Sequence, residues 1–236
     1  MKYEQKLNLI SYISFGAVAL AVLIATTALN AVREYDAVRP IEFLTVPLCL
    51  IFTMVTLRGG TDKTIVLCAF VCTTIADLFM ILLEKYFEVS LVFFAAAQLI
   101  YCARIQLFRK NKKYSAIALS VRAALSVIVC AIAATAFQGE TALIILAAFY
   151  FTNLALNAAE ALISASGGVK NILFFAGLIL FMGCDICVGL NSGYMAGIRI
   201  SSSALYAVNI LIWLFYIPSQ ILLALSVPLK HKKEIS

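Results

Sequence analysis

The sequence contains few charged residues and only one histidine. Of its 236 residues 13% are Asp, Glu, Lys or Arg, whereas 64% are hydrophobic. A soluble globule of this size needs more charged side chains to cover its surface, so the composition excludes that class and indicates an integral membrane protein. The lone histidine, His231, lies in a basic tail, which excludes a zinc hydrolase with several histidine ligands.

Long polar stretches are also missing, so the chain has no room for a soluble domain. Apolar runs long enough to cross roughly 30 Å of hydrocarbon, about 20 residues each, recur along its whole length. Because lipid-facing backbone must satisfy its own hydrogen bonds, these runs predict an all-α fold, one polytopic membrane domain over residues 1–236 with eight transmembrane helices. The first run is longer than a signal-peptide core and is included. The predicted helices are about 8–29, 41–57, 64–83, 89–108, 115–137, 143–163, 171–190 and 202–229.

The basic residues are distributed unevenly between the two sides of this predicted bundle. Thirteen Lys and Arg residues fall on the side that carries both termini, against four on the other side. The positive-inside rule therefore places both termini in the cytoplasm of a multi-pass protein of the cell membrane. The net charge of +6 reflects this asymmetry, and we expect no nucleic-acid partner.

Two aspartates lie within the predicted spans. Asp77 is on helix three and Asp185 on helix seven, and an ionisable group inside a membrane is a functional-site hypothesis by default. Both helices are predicted to run outward from the cytoplasm, which puts the two carboxylates roughly 20 Å and 22 Å along their helices at 1.5 Å per residue. We therefore predict that they are level and form one site.

Polar and aromatic residues recur at helical spacing on three further helices, and such stripes face either a water-filled cavity or a neighbouring helix. They comprise Gln98 and Tyr101 on helix four, Tyr150, Asn153, Asn157 and Glu160 on helix six, and Tyr206, Asn209, Trp213, Tyr216 and Gln220 on helix eight. Arg122 on helix five is interpreted differently, as a side chain that reaches the headgroups and has no chemical role.

The two halves of the chain share a pattern. In each half the third helix carries an aspartate and the fourth an aromatic and amide stripe, which suggests a 4+4 internal repeat. The seven cysteines all lie inside predicted helices, where free cysteine behaves as a small hydrophobic residue. The Cys184-x-x-Cys187 spacing alone therefore does not indicate a metal or redox site.

Several motifs resemble the YhhN-like family of membrane proteins, which includes the lysoplasmalogenases. The resemblance spans most of the chain, and one departure from it matters: Gln98 stands where the family has a histidine on helix four. Ala76 in place of the family's glycine is a milder change. The matching segments are Arg39-Pro40, Ala76-Asp77-Leu78, Gln98-Leu-Ile-Tyr101, Cys184-Asp185 with Leu190-Asn191, and Tyr216-Ile-Pro-Ser-Gln220.

The resemblance implies a hydrolase that cleaves the vinyl ether bond of a lysoplasmalogen. The products would be a fatty aldehyde and glycerophosphoethanolamine or glycerophosphocholine, with Asp77 and Asp185 as general acid and base in either order. The partners would be a lysophospholipid substrate and the bilayer, without a metal or organic cofactor. The residues expected to bind the substrate are Gln98, Tyr101, Asn153, Asn191, Asn209, Tyr216 and Gln220.

Two other interpretations stay open. Intramembrane acids also occur in proton relays, so the protein could be a transporter of lipids or small molecules, or a lipid-binding protein without catalysis. The two halves show no matching pair of helices broken by Gly or Pro, which is the usual pointer to a transport site. The second interpretation is an inactive family member in which Gln98 has replaced the histidine.

Overall fold

The computed structural model describes residues 2–32, 34–56, 60–109, 111–136, 141–195, 197 and 199–227. Within these ranges the chain is helical and contains no strand. A π-helical turn (Leu78–Leu82) follows α4 and a 3₁₀ turn (Ala165–Gly167) follows α7. The α-helices are α1 (Lys2–Ala31), α2 (Tyr35–Phe43), α3 (Thr45–Thr56), α4 (Thr61–Asp77), α5 (Phe87–Phe108), α6 (Lys112–Ala136), α7 (Thr141–Ser164), α8 (Val169–Met195) and α9 (Ser202–Leu225).

The predicted eight-span helical architecture is confirmed. The described part of the chain holds eight helices or helix pairs that are long and apolar enough to cross a membrane, with α2 and α3 together forming the second. The eighth helix ends at Leu225, four residues before the predicted end at 229. The cytoplasmic location of the termini and the internal repeat stay predictions.

The second span departs from the predicted layout. The second helix was predicted to begin at about residue 41, but α2 begins at Tyr35 and contains Pro40 in its interior. The buried side chain of Val38 anchors this early turn. The helix then breaks at Leu44, because Pro47 cannot donate a hydrogen bond to the carbonyl of residue 43 and its ring crowds that carbonyl.

The third span also ends irregularly. The α-helical hydrogen bonding of α4 stops at Asp77, and the next five residues form the π-helical turn. The turn that follows includes Glu84 and Tyr86 in the left-handed region, at φ of 48° and 56°. Arg39 of α2 pairs with the Glu84 carboxylate at 2.9 Å. π-Helical turns are rare and are often found beside functional sites.

The centre of the bundle is formed where α4, α5, α7, α8 and α9 meet, while α1 packs on α2, α3 and α9, and α6 packs on α7. Helices α8 and α9 approach closely at Gly177, where a Cβ atom would lie 2.9 Å from Cγ of Leu223 and 3.1 Å from the Ser219 carbonyl oxygen. Small residues at such positions let membrane helices come together. This contact fixes α9 against the helix that carries Asp185.

Candidate active site

Asp77 is buried at the point where α4 gives way to the π-helical turn. Only 1% of the residue is exposed, and its carboxylate accepts a 2.6 Å hydrogen bond from the hydroxyl of Tyr216 on α9. The neighbouring Ala76 carbonyl accepts a 2.9 Å bond from the Ser90 hydroxyl of α5. The end of α4 is therefore held from two sides, by α5 and α9.

Asp185 has an analogous partner on a different helix. Its carboxylate accepts a hydrogen bond from the Tyr150 hydroxyl of α7. Tyr150 is buried, whereas Asp185 keeps intermediate exposure. Each aspartate thus accepts a hydrogen bond from one tyrosine of a different helix.

The two carboxylates lie at the same depth. Asp77 lies 16 residues after Thr61 (77 − 61) and Asp185 lies 16 residues after Val169 (185 − 169), so both are about 24 Å along their helices. Their assignment to one site stays a prediction.

Aromatic rings connect the two tyrosines. Tyr150 packs against Phe94, Phe94 against Phe181 and Phe181 against Tyr216, with ring centroids 5.6, 6.0 and 5.7 Å apart. These contacts place apolar rings between the two tyrosines, and electrostatic interactions are stronger in such low-dielectric surroundings than in water. We call the four residues Asp77, Asp185, Tyr150 and Tyr216 the carboxylate pair with its tyrosines.

Within the described part of the chain neither Asp77 nor Asp185 pairs with a Lys or Arg. A buried carboxylate usually has a cationic partner, because desolvating a charge is costly. Two neighbouring carboxyl groups without a cation can instead hold one proton between them, as one acid and one carboxylate. That combination can donate a proton to one atom and accept a proton from another.

Gln98 lies on the α5 face of this core, in an orientation fixed by α7. The Asn157 amide nitrogen donates to both the backbone carbonyl of Gln98, at 2.8 Å, and its side-chain oxygen, at 3.0 Å. The Gln98 side-chain nitrogen is buried and has no partner among the described residues. The Gln98 side-chain nitrogen is therefore a buried hydrogen-bond donor that the described residues leave unsatisfied.

The remaining amides and tyrosines expected to bind substrate fall into two groups. Tyr101 and Gln220 are fully buried, and the Tyr101 hydroxyl and the Gln220 side-chain oxygen have no partner in the described structure. Asn191 and Asn209 keep intermediate exposure. Asn191 follows Asp185 by six residues and Asn209 precedes Tyr216 by seven, which correspond to about 9 Å and about 10.5 Å along their helices. Their roles in substrate binding stay predictions.

Arg122 contradicts the expectation that it reaches the headgroups. The residue is 5% exposed, and its guanidinium donates to the side chains of Asn153 at 3.0 Å, Asn157 at 2.9 Å and Glu160 at 2.7 Å. The expectation was wrong because it considered only the distance from Arg122 to the end of its own helix. The acceptors are on α7, and an arginine with a buried carboxylate partner has no need to reach water.

Asn153 and Glu160 consequently belong to an arginine cluster. The Asn153 amide donates to the Phe149 carbonyl at 2.9 Å while its oxygen accepts from Arg122. Glu160 also pairs with Arg109 at 2.7 Å. We call Arg109, Arg122 and Glu160 the arginine cluster, and Asn157 connects it to Gln98. The proposed role of Asn153 in substrate binding stays a prediction.

Metal-binding groups are not found in the described residues: no three His, Cys, Asp or Glu side chains lie together in a way that would hold an ion. All seven cysteines are free. The chemistry of the described core is therefore that of carboxyl, phenol and amide groups.

Fold and site together define a multi-pass helical membrane protein with two tyrosine-bound carboxylates on its central helices. The YhhN family model matches residues 39–227, which is most of the chain. The protein therefore belongs to the YhhN family. Searches of curated proteins and of solved structures gave no match.

Proposed function

We propose that this protein is a membrane-embedded lysoplasmalogenase, a hydrolase that cleaves the vinyl ether bond of lysoplasmalogens in the cell membrane. The observation that supports this most directly is the carboxylate pair with its tyrosines: two acids that are held by tyrosine hydroxyls, are linked by packed aromatic rings and have no cationic partner in the described structure. A vinyl ether requires one group to supply a proton to carbon and another to activate water. Two carboxyl groups in different protonation states meet both requirements.

The proposed hydrolysis has three steps: protonation of the vinyl ether, addition of water and cleavage of a hemiacetal. One carboxylic acid transfers its proton to the vinyl carbon remote from oxygen, which gives an oxocarbenium ion. Water adds to the carbon that bears the oxygen, and its proton passes to the other carboxylate, leaving a hemiacetal. The newly protonated carboxyl group then gives its proton to the glycerol oxygen as the hemiacetal carbon–oxygen bond breaks, and the other carboxylate takes the proton of the hemiacetal hydroxyl. This step releases a fatty aldehyde and glycerophosphoethanolamine or glycerophosphocholine and restores both carboxyl groups to their starting states. Asp77 and Asp185 are the two carboxyl groups.

The surrounding residues would orient the reactants. The Tyr216 and Tyr150 hydroxyls hold the two carboxylates in place by their hydrogen bonds. The unpartnered Gln98 nitrogen and Tyr101 hydroxyl are suited to bind the water or the glycerol oxygens, since buried polar groups without a partner are costly. Apolar helix surfaces around the core would accept the alkenyl chain.

The test is aldehyde release by the purified full-length protein in detergent. An alkenyl lysophospholipid should yield aldehyde, and the matched acyl lysophospholipid should yield none. Asp77→Asn should abolish the reaction, whereas Asp36→Asn, at a position whose side chain is 98% exposed, should leave it unchanged. Absence of aldehyde from a folded, monodisperse wild-type sample would contradict the proposal and favour a protein that binds or transports lipid.

A further inference from the structure

A polar cavity lies where α5 ends and α8 begins, at the opposite end of these helices from the two aspartates. It has a volume of about 100 Å³, well above the roughly 10–15 Å³ that one water requires. Part of its wall is the turn before α8, where the Asn171 amide donates to the Ser164 carbonyl at 2.9 Å. The cavity is lined by three cations, one carboxylate and two aromatic rings: Arg104, Arg109, Lys170, Asp62, Phe108 and Phe174.

This cavity is distinct from the candidate active site. Asp62 lies 15 residues before Asp77 on one helix (77 − 62), and Lys170 lies 15 residues before Asp185 on another (185 − 170). Both offsets correspond to about 22 Å. The phosphate of a lysophospholipid is separated from its vinyl ether only by a glycerol unit, so one substrate molecule cannot occupy both places.

Part of the positive charge around the cavity is neutralised within the protein. The Arg104 guanidinium forms two hydrogen bonds with the Asp62 carboxylate, at 2.6 and 3.0 Å, and two more with the hydroxyl and carbonyl of Ser226, at 2.7 and 3.0 Å. Arg104 also lies over the Phe174 ring, 4.5 Å from its centroid. This arginine is therefore balanced and positioned by its neighbours.

The rest of the charge is not neutralised by the described residues. Arg109 and Arg122 share the single carboxylate of Glu160, each at 2.7 Å, and Lys170 forms no ion pair in the described structure. The cavity lining itself carries three cations and one carboxylate. Glu160 lies outside the lining and is shared between Arg109 and Arg122, so the cavity keeps a net positive charge. Shared and unpaired cations beside a cavity favour the binding of an anion.

Exposed apolar residues flank the opening. Leu107 and Phe108 at the end of α5 are 55% and 54% exposed, and Val169 and Ile172 at the start of α8 are 72% and 51% exposed. These side chains are suited to contact acyl chains beside a headgroup. Free phosphate has no apolar part that could contact these side chains.

We propose that this cavity binds the phosphate of an anionic phospholipid headgroup, with Lys170 as the exposed cation that contacts it. The distribution of basic residues predicts that this end faces the cytoplasm, where the leaflet is rich in anionic lipid and basic pockets between helices bind such headgroups. The site is separate from the hydrolytic centre and holds a lipid that is not the substrate.

The test measures lipid binding by the full-length protein with native mass spectrometry. The probes are phosphatidylglycerol, phosphatidylcholine with the same acyl chains, and inorganic phosphate. Wild type should retain phosphatidylglycerol in preference to phosphatidylcholine, and Lys170→Gln should lower the phosphatidylglycerol affinity by about fivefold. Lys170→Arg should restore it. Lys113→Gln, which removes an exposed lysine on the same face but outside the cavity, should leave the affinity unchanged.

Three results would overturn the proposal. These are equal retention of the two lipids, an equal effect of Lys170→Gln and Lys113→Gln, or Lys170-dependent binding of inorganic phosphate that phosphatidylglycerol does not surpass. The last result would identify a soluble-anion site. Asp77→Asn should bind phosphatidylglycerol like wild type, so the lipid site and the proposed hydrolysis can fail independently.

Discussion

Two polar regions of the same bundle differ in the partners that they give to their carboxylates. In the arginine cluster, Glu160 accepts from Arg109 and Arg122, and the amide oxygens of Asn153 and Asn157 accept further hydrogen bonds from Arg122. In the carboxylate pair with its tyrosines, the described residues supply hydroxyl donors and no cation.

The difference separates structural groups from reactive ones. A carboxylate that is paired with arginine stays ionised and ties helices together, because removing either partner leaves an uncompensated charge. A carboxyl group held only by a tyrosine hydroxyl can exist with or without its proton. Substitutions that exchange a carboxylate for its amide should therefore act on stability in one region and on turnover in the other.

The largest effect on turnover is expected at the two aspartates. Asp185→Asn removes one of the two proton-transfer groups and should lower aldehyde formation by about 10²- to 10⁴-fold, while the protein still folds. Asp62→Asn is the matched exchange of a carboxylate for its amide, at the residue that pairs with Arg104. Folded Asp62→Asn protein should keep the chemistry of the carboxylate pair. Equal rates for Asp185→Asn and wild type would refute a two-carboxylate mechanism.

The largest effect on stability is expected at Glu160. Glu160→Gln leaves Arg109 and Arg122 buried without a carboxylate, and loss of one partner of a buried ion pair costs about 3–5 kcal/mol. The free energy of unfolding in mixed detergent micelles measures this. Glu88→Gln changes an exposed glutamate and should have little effect. A Glu160→Gln protein as stable as wild type would show that the cluster does not hold α6 and α7 together.

A smaller effect is expected at Tyr216, which binds Asp77. Tyr216→Phe removes a hydrogen bond to a carboxyl group, and bonds to charged groups contribute about 1.5–3 kcal/mol, so turnover should fall on the order of 10- to 100-fold. Tyr206→Phe is the control on the same helix, since its hydroxyl donates to the Ala31 carbonyl. If both variants turned over substrate at the same rate, the Tyr216 hydroxyl would have no part in positioning Asp77.

The smallest effect is expected at Gln98. Gln98→His should retain activity, because an imidazole has one acceptor nitrogen for Asn157 and one donor for the core. Gln98→Leu removes the buried donor nitrogen of Gln98 and should lower turnover by about tenfold, in line with the loss of one hydrogen bond at ~0.5–1.5 kcal/mol. Complete loss of activity in Gln98→His would show that the amide itself is required.

The partners of the buried groups illustrate how far sequence reasoning reaches. The stripe on α7 was visible because Tyr150, Asn153, Asn157 and Glu160 recur at spacings of three and four. Periodicity shows that residues share a face, but it does not show which helix the face meets. The interpretation of Arg122 failed for this reason, and Tyr150 was not singled out as the partner of Asp185.

The sequence by itself determined the eight spans and the depth of the two aspartates. Hydropathy is a local property, and a helix rises by a fixed 1.5 Å per residue, so counting from the helix starts places Asp77 and Asp185 at similar depths. The tertiary structure alone decided that Tyr216 and Tyr150 bind these aspartates, that Arg122 is buried against Glu160, and that a cationic cavity forms between α5 and α8. Those outcomes depend on how helices distant in sequence pack together, and helix packing is set by side-chain shape and pairing rather than by local pattern.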